Sequence, residues 1–308
     1  MRKRFKSAIT LILATALLAS CAKEPAVTET TELTESELVV DAAELTLDES
    51  EPEESKSNPL FPEFKYDYET GEAKRQHCVR SVTFYRDGNP ISGKFTVPEG
   101  EGPFKTIIIS GGLYTNLGRY SSKAQRYADN GYAVVEFKFQ NGTAPKPYRD
   151  PKYLGDFIYE QVLDLYAVMD ETKLFPEVDV NNIYLYGHSM GGLVCTYAGT
   201  MRQTEVKGLI LNDPSFYACK IMKFENEKTI RTDIYPLISR CYVPVVIISG
   251  TKAFAADPKK DFDQAIASLP YCDYYVIEGA NHHMDGKDGE QVVDLSIEAM
   301  KKWDAEGR

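Results

Sequence analysis

Residues 183–198 read Ile-Tyr-Leu-Tyr-Gly-His-Ser-Met-Gly-Gly-Leu-Val-Cys-Thr-Tyr-Ala, and no other stretch limits the fold as tightly. An apolar, β-prone run ends at Gly187. The pattern Gly-x-Ser-x-Gly follows over Gly187, Ser189 and Gly191, and a helix-compatible run starts at Leu193. Strand, sharp turn and helix in that order need small residues two places before and after the serine, because strand and helix nearly touch there. Such a turn lifts the Ser189 hydroxyl above the sheet edge. The N-terminus of the helix then offers N–H groups and positive potential beside it. Glycines that serve packing alone are the competing explanation, and they leave the rest of the pattern unused.

The chain around this stretch alternates strands and helices. Residues 79–85 and 91–97 alternate polar and apolar about a turn at Asp87-Gly88-Asn89-Pro90, which predicts a leading antiparallel hairpin. The continuous apolar run Thr106-Ile107-Ile108-Ile109 predicts a buried parallel strand. Further strands are expected over 132–137, 183–186, 208–211, 244–249 and 274–278. Helices are expected over 121–130 (closed by Gly131), 152–172, 259–269 and 289–303. This order specifies an α/β chain: a mostly parallel eight-stranded sheet with helices on both faces. Residues 216–242 break the rhythm and are too long for a simple connection, so a small helical cap is expected there.

With these residues in view, the domain from about Val79 to Trp303 resembles the α/β-hydrolase superfamily, and among its members the bacterial cinnamoyl/feruloyl-type esterases. The resemblance rests on Ala128-Asp129-Asn130-Gly131-Tyr132-Ala133-Val134, the block 182–192, Lys207-Gly208-Leu209-Ile210-Leu211 and Glu278-Gly279-Ala280-Asn281-His282. It implies the α/β-hydrolase fold and a serine hydrolase of small-molecule esters with Ser189 as nucleophile; a peptidase or amidase on the same fold, and a non-catalytic or weakly active lipoprotein with a degenerate hydrolase fold, are the alternatives. It also implies a base after the last strand, since the triad runs Ser, acid, His along the chain. Four histidines are present; His188 lies inside the turn and His77 precedes the first strand, which leaves His282 and His283. Gly279-x-x-His282 is the position that matches the family. For the oxyanion hole the resemblance implies the N–H of Met190 and one from the loop Ser110-Gly111-Gly112-Leu113, where relatives commonly carry His-Gly; Gly112 and Leu113 are the two candidates.

The acid departs from the family pattern. Relatives place an Asp three residues after the Gly that ends the seventh strand, and here Gly250 is followed by Thr251, Lys252 and Ala253. Two substitutes exist. Asp257 lies along the same loop, but Asp257-Pro258 before a helix is also a good N-cap. Asp213 ends the sixth strand in Asn212-Asp213-Pro214-Ser215 and resembles the Asp-Pro-Ala of pancreatic-type lipases, so it is the favoured choice. A site with no acid is the third possibility. Tyr114, Tyr148 and Tyr217 could line the mouth, though twenty tyrosines make packing an equal explanation.

The N-terminal region carries a different signal. Residues 1–20 combine Arg2, Lys3, Arg4 and Lys6 with an apolar core over 8–18, the form of a signal peptide. Leu18-Ala19-Ser20-Cys21 resembles the lipobox of bacterial lipoproteins, with Cys21 lipidated; a plain signal peptide is the alternative. Residues 21–59 are acidic and poor in apolar groups, which predicts a disordered tether that lifts a domain of residues 60–308 off a membrane. The net charge of −11 disfavours a nucleic-acid partner. No zinc-ligand spacing or phosphate-binding glycine loop occurs, so neither metal nor nucleotide cofactor is expected. Beyond Cys21 the cysteines number five, and Cys219 and Cys241 flank the expected cap, where an exported protein could bridge them.

Overall fold

The computed structural model describes residues 77–142, 151–216, 235–253 and 258–308. The expected signal peptide, Cys21, the acidic tether and the domain start near residue 60 lie outside these residues, as do Tyr148, Tyr217, Cys219 and Asp257. Among the described residues no helix is long and apolar enough to cross a membrane.

The leading hairpin forms as the alternation predicts, from β1 (His77–Arg86) and β2 (Asn89–Pro98) in antiparallel register with Arg86 opposite Asn89. Its two-residue turn puts Asp87 at φ 52° and Gly88 at φ 78°. Two successive left-handed residues match the twist of the flanking strands, and Asp-Gly is a sequence suited to them. Next come β3 (Phe104–Ser110), α1 (Ser121–Asp129), β4 (Ala133–Phe137) and α2 (Pro151–Thr172). The elbow strand β5 (Val178–His188) is longer than its apolar stretch and leads into α3 (Met190–Met201). The chain continues through β6 (Gly208–Asn212), the short α4 (Tyr235–Ile238), β7 (Val245–Lys252), α5 (Pro258–Ser268), β8 (Cys272–Asn281) and α6 (Gly286–Ala305).

The eight strands form one sheet in the order β1-β2-β4-β3-β5-β6-β7-β8. The pairs from β4 through β8 are parallel, and only β1–β2 and β2–β4 are antiparallel. Successive residues of the central strands feed opposite faces. Ile108, Ile183, Leu185, Leu209, Leu211, Val245 and Ile247 pack with α2, α3 and α5, while Ile107, Ile109, Tyr184, Tyr186, Ile210, Val246 and Ile248 pack with α1 and α6. Each such fully buried side chain contributes about 1.5–3 kcal/mol relative to exposure. A strand buried on both faces must be apolar at every position, which is why the runs in β3, β6 and β7 are continuous.

The expected cap is described only at its ends. Phe216 at the entry and Ile238 and Cys241 at the exit are all buried in the core cluster on the α2/α3/α5 face. These ends therefore belong to the main body. Cys78, Cys195, Cys241 and Cys272 are free thiols, and the Cys241 thiol donates to the carbonyl of Val243 at 3.8 Å.

The strand order fixes where a ligand can sit. From β3 the chain moves to β4 on one side and then crosses to β5 on the other. In open α/β sheets the crevice at such a switch lies outside the carboxyl ends of the strands. Ser110, at the end of β3, pairs with Gly187, two residues before Ser189.

Candidate active site

Ser189 sits between β5 and α3 at φ 55°, ψ −121°. This is a left-handed backbone for a side-chain-bearing residue, a strain of about 1–3 kcal/mol that the surroundings must hold in place. Three backbone bonds do so: Ser189 N–H donates to the Asn212 carbonyl at 3.0 Å, and the Ser189 carbonyl accepts from Gly192 and Ser215, each at 3.0 Å. The flanking glycines are sterically required. A Cβ on Gly191 would lie 2.2 Å from the Ser110 carbonyl oxygen, and one on Gly187 would lie 2.4 Å from that of Gly191. The side-chain hydroxyl of Ser189 shares a 3.2 Å hydrogen bond with that of Ser215.

Asp213 follows β6 with φ 47°, and its N–H donates to the Ile248 carbonyl at 2.8 Å. That turn directs the carboxylate toward the end of β8. Its side chain is 3 % exposed, its Oδ2 contacts His282 Nδ1, and its Oδ1 accepts a 2.9 Å bond from the Ser249 hydroxyl. Both oxygens of a buried carboxylate are thus engaged, as burial demands.

His282 follows β8 on a loop held from several directions. Asn281 Oδ1 accepts the N–H groups of His283 (3.0 Å) and Met284 (3.2 Å), and the Met284 carbonyl accepts Lys123 Nζ at 2.8 Å. Lys123 is itself buried, which lowers its pKa to about 8. Arg119 pairs with Asp285 at 2.6 Å. His283, the other candidate base, is exposed and stacks edge-on against His282, whereas Asp213 is in contact with His282.

The loop after β3 reaches the nucleophile. A Cβ on Gly112 would lie 3.0 Å from Ser189 Cβ. The Gly112 N–H, however, donates to the Tyr120 hydroxyl at 3.2 Å. Of the two expected oxyanion donors on this loop, Gly112 is therefore engaged by Tyr120, while Met190 stands at the start of α3 directly after Ser189. Tyr114, on the same loop, is exposed and adopts φ 59°.

At the seventh strand, where relatives carry their acid, β7 runs on through Lys252, which pairs with Asn281 of β8. Thr251 accepts the Gly279 N–H at 2.8 Å, and the Ala253 N–H folds back onto the Gly250 carbonyl at 3.1 Å. The end of β7 is thus tied into the sheet.

Sequence reasoning missed Tyr120, Ser215 and Ser249. Nothing local marks them: a serine two residues after Asp213 or at the end of a strand looks like any other until the strands are aligned. His188, which the sequence places inside the turn, is buried and touches both the Tyr120 hydroxyl and the His282 carbonyl.

Known proteins share this fold. A family model described as serine aminopeptidase, S33, matches residues 101–242, a stretch that includes Ser189 and Asp213 and stops before His282. Est1E from Butyrivibrio proteoclasticus superposes with a TM-score of 0.58 at 18% identity, over 72% of this chain and 99% of that one. Dienelactone hydrolase from Anabaena variabilis gives 0.55 at 14%, over 73% and 98%. A thioesterase domain from the curacin biosynthetic pathway gives 0.55 at 13%, over 71% and 99%. The chain has the α/β-hydrolase fold. Comparison of the sequence with curated proteins finds no match. Fold and family match together support a serine hydrolase.

Proposed function

We propose that this α/β-hydrolase-fold chain cleaves carboxylic esters of small molecules through an acyl-enzyme on Ser189, with His282 as the base and Asp213 as the acid. The observation that carries this reading is the contact of His282 Nδ1 with the buried Asp213 carboxylate, beside the strained turn that holds Ser189. With Nδ1 on Asp213, Nε2 is the atom that takes the Ser189 proton as Oγ attacks the ester carbonyl. The carbonyl oxygen gains charge and is met by the N–H groups of Met190 and Leu113. His282 returns the proton to the leaving alcohol, and water hydrolyses the acyl-enzyme by the same path in reverse. The Ser189 hydroxyl also shares a hydrogen bond with that of Ser215, which holds it at the mouth of the turn.

Est1E, of the same fold, is known with ferulic acid bound, which favours an aromatic acyl group as the first substrate to try. Amide hydrolysis is the second reading, because the matching family model is that of a serine aminopeptidase. A panel of esters and anilides with identical acyl groups separates the two. The ester reading expects kcat/KM to favour every ester over its anilide by more than their chemical difference in reactivity, and a reversed order would replace it with the amidase.

The same proposal puts the domain outside the cytoplasm, tethered through a lipidated Cys21 by an acidic linker, on the strength of Leu18-Ala19-Ser20-Cys21 and the charge pattern that follows. Lipidation supplies about 0.8 kcal/mol per buried methylene, and stable anchoring takes about two chains.

A further inference from the structure

One buried chain of polar groups lies beside the site and takes no part in the reaction as written. It runs from the Gly112 N–H to the Tyr120 hydroxyl (3.2 Å), from that hydroxyl to His188 Nδ1 (2.9 Å), and from His188 Nε2 to the carbonyl of His282 (2.8 Å). Its members come from the loop after β3, the residue that precedes α1, the end of β5 and the loop after β8. The two ends fix its direction. A peptide N–H can only donate and a carbonyl can only accept. His188 must therefore carry its proton on Nε2 and leave Nδ1 to accept the Tyr120 hydroxyl proton, while the Tyr120 oxygen accepts from Gly112.

The surroundings keep every member in that state. Burial, and then the neighbouring His282, hold the His188 pKa well below its usual 6.5, so the ring stays neutral. Among the described residues, the groups that act on it are Tyr120 and Lys123 from the α1 side and His282 and His283 from the β8 loop, and the charges of His282, Lys123 and His283 each disfavour imidazolium. Burial raises the Tyr120 hydroxyl to about 12. Tyr120 is fixed in turn by Glu136 of β4, which accepts its backbone N–H at 3.1 Å and the Ser121 hydroxyl at 3.2 Å. The Tyr120 ring meets those of Tyr186 and His188 edge-on.

We propose that Tyr120 and His188 are positioning residues, which register the oxyanion loop against the base loop through this one-way chain of hydrogen bonds. The inference rests on the reading of Ser189, His282 and the loop at Gly112 as a hydrolytic site. Both loops leave the sheet separately; the exposed Arg119–Asp285 pair ties their outer parts, and the chain through Tyr120 and His188 ties the parts next to Ser189 and His282. A misplacement of either by about 1 Å would slow the reaction by as much as 100-fold, so a rigid brace between them bears on the rate rather than on substrate binding.

The test uses the full-length chain and three substitutions. Tyr120→Phe cuts the chain and keeps the ring, His188→Gln retains a donor for the His282 carbonyl, and Tyr127→Phe is the control. Tyr127 is equally buried in the same aromatic cluster, but its hydroxyl meets Ser296, away from the chain. Loss of one such neutral hydrogen bond is expected to lower kcat about fivefold to tenfold with KM within about twofold. Tyr120→Phe and His188→Gln should give this split, should be non-additive when combined, and should displace the titration of His282 followed by isotope-edited NMR. Tyr127→Phe should do neither. NMR of the parent chain should also show His188 protonated on Nε2 and neutral at its usual midpoint of 6.5, where a free imidazole is half charged. The proposal is overturned if Tyr120→Phe leaves both kcat and the His282 titration unmoved, or if His188 carries its proton on Nδ1. Should the parent chain show neither turnover nor reaction with a phosphonate, the hydrolase reading fails, and the NMR arm alone decides whether the brace exists.

Discussion

Asp213→Asn separates charge from shape at this site. The amide can place its oxygen toward His282 Nδ1 and its NH2 toward the Ser249 hydroxyl, which can accept, so the bonds now made by the carboxylate have replacements. The fold should lose no more than about 1 kcal/mol. What disappears is the attraction between carboxylate and imidazolium in the transition state. At a separation of about 3 Å and an effective dielectric of about 20 that attraction is roughly 5.5 kcal/mol, or about four decades in rate. The usual loss for a triad acid, about 10⁴-fold, is of the same size. The assay is kcat on an activated ester, with thermal unfolding run in parallel to show that the fold is retained. A loss of less than about tenfold in a folded variant would refute the reasoning, because His282 would then be oriented by something other than this carboxylate. Asp257→Asn should stay within about twofold of the parent, since Asn caps a helix as well as Asp does. Ala253→Asp should bring no gain, because the end of β7 is tied to β8 and His282 already meets Asp213.

Gly191→Ala should cost about 1–3 kcal/mol of stability by denaturant titration, since its methyl would meet the backbone oxygens of Ser110 (2.2 Å) and Gly111 (2.5 Å), which no side-chain rotation can relieve. Stability should also fall on acidification: His188 stays neutral in the fold, so below about pH 6.5 the unfolded chain takes up a proton that the folded one refuses, at a slope of up to about 1.4 kcal/mol per pH unit. His188→Gln should flatten that part of the curve measured by urea unfolding. Cys21→Ala should move the protein from the membrane fraction to the soluble one, and an unmodified N-terminus downstream of Cys21 in the mature protein would remove the tether from the account.

The strand pattern made most of the fold legible. The unbroken apolar runs of β3, β6 and β7, the alternation of the hairpin and the glycines about Ser189 each encode a local constraint, and each produced the element expected. Ends were less legible than centres. Strand β5 starts five residues before its apolar run, because Val178 pairs with Phe104 across a bulge that hydropathy does not register. The site was legible where a motif carried it, at Ser189 and Gly279-x-x-His282. It was not legible where partners meet only in three dimensions. Tyr120 and His188 are 68 positions apart, and Ser249 and Asp213 are 36 apart. The bond between the Gly112 N–H and the Tyr120 hydroxyl likewise forms only once the fold brings the two together.

The central claim is that Ser189 is an activated nucleophile, and intact-mass spectrometry after treatment with a fluorophosphonate measures it most directly. The account predicts one adduct per chain, mapped to Ser189, formed in step with the loss of esterase activity and absent from Ser189→Ala, whose turnover should drop on the order of 10³-fold or more. An unlabelled parent chain, an adduct on another residue, or a Ser189→Ala variant that hydrolyses esters at the parent rate would contradict it.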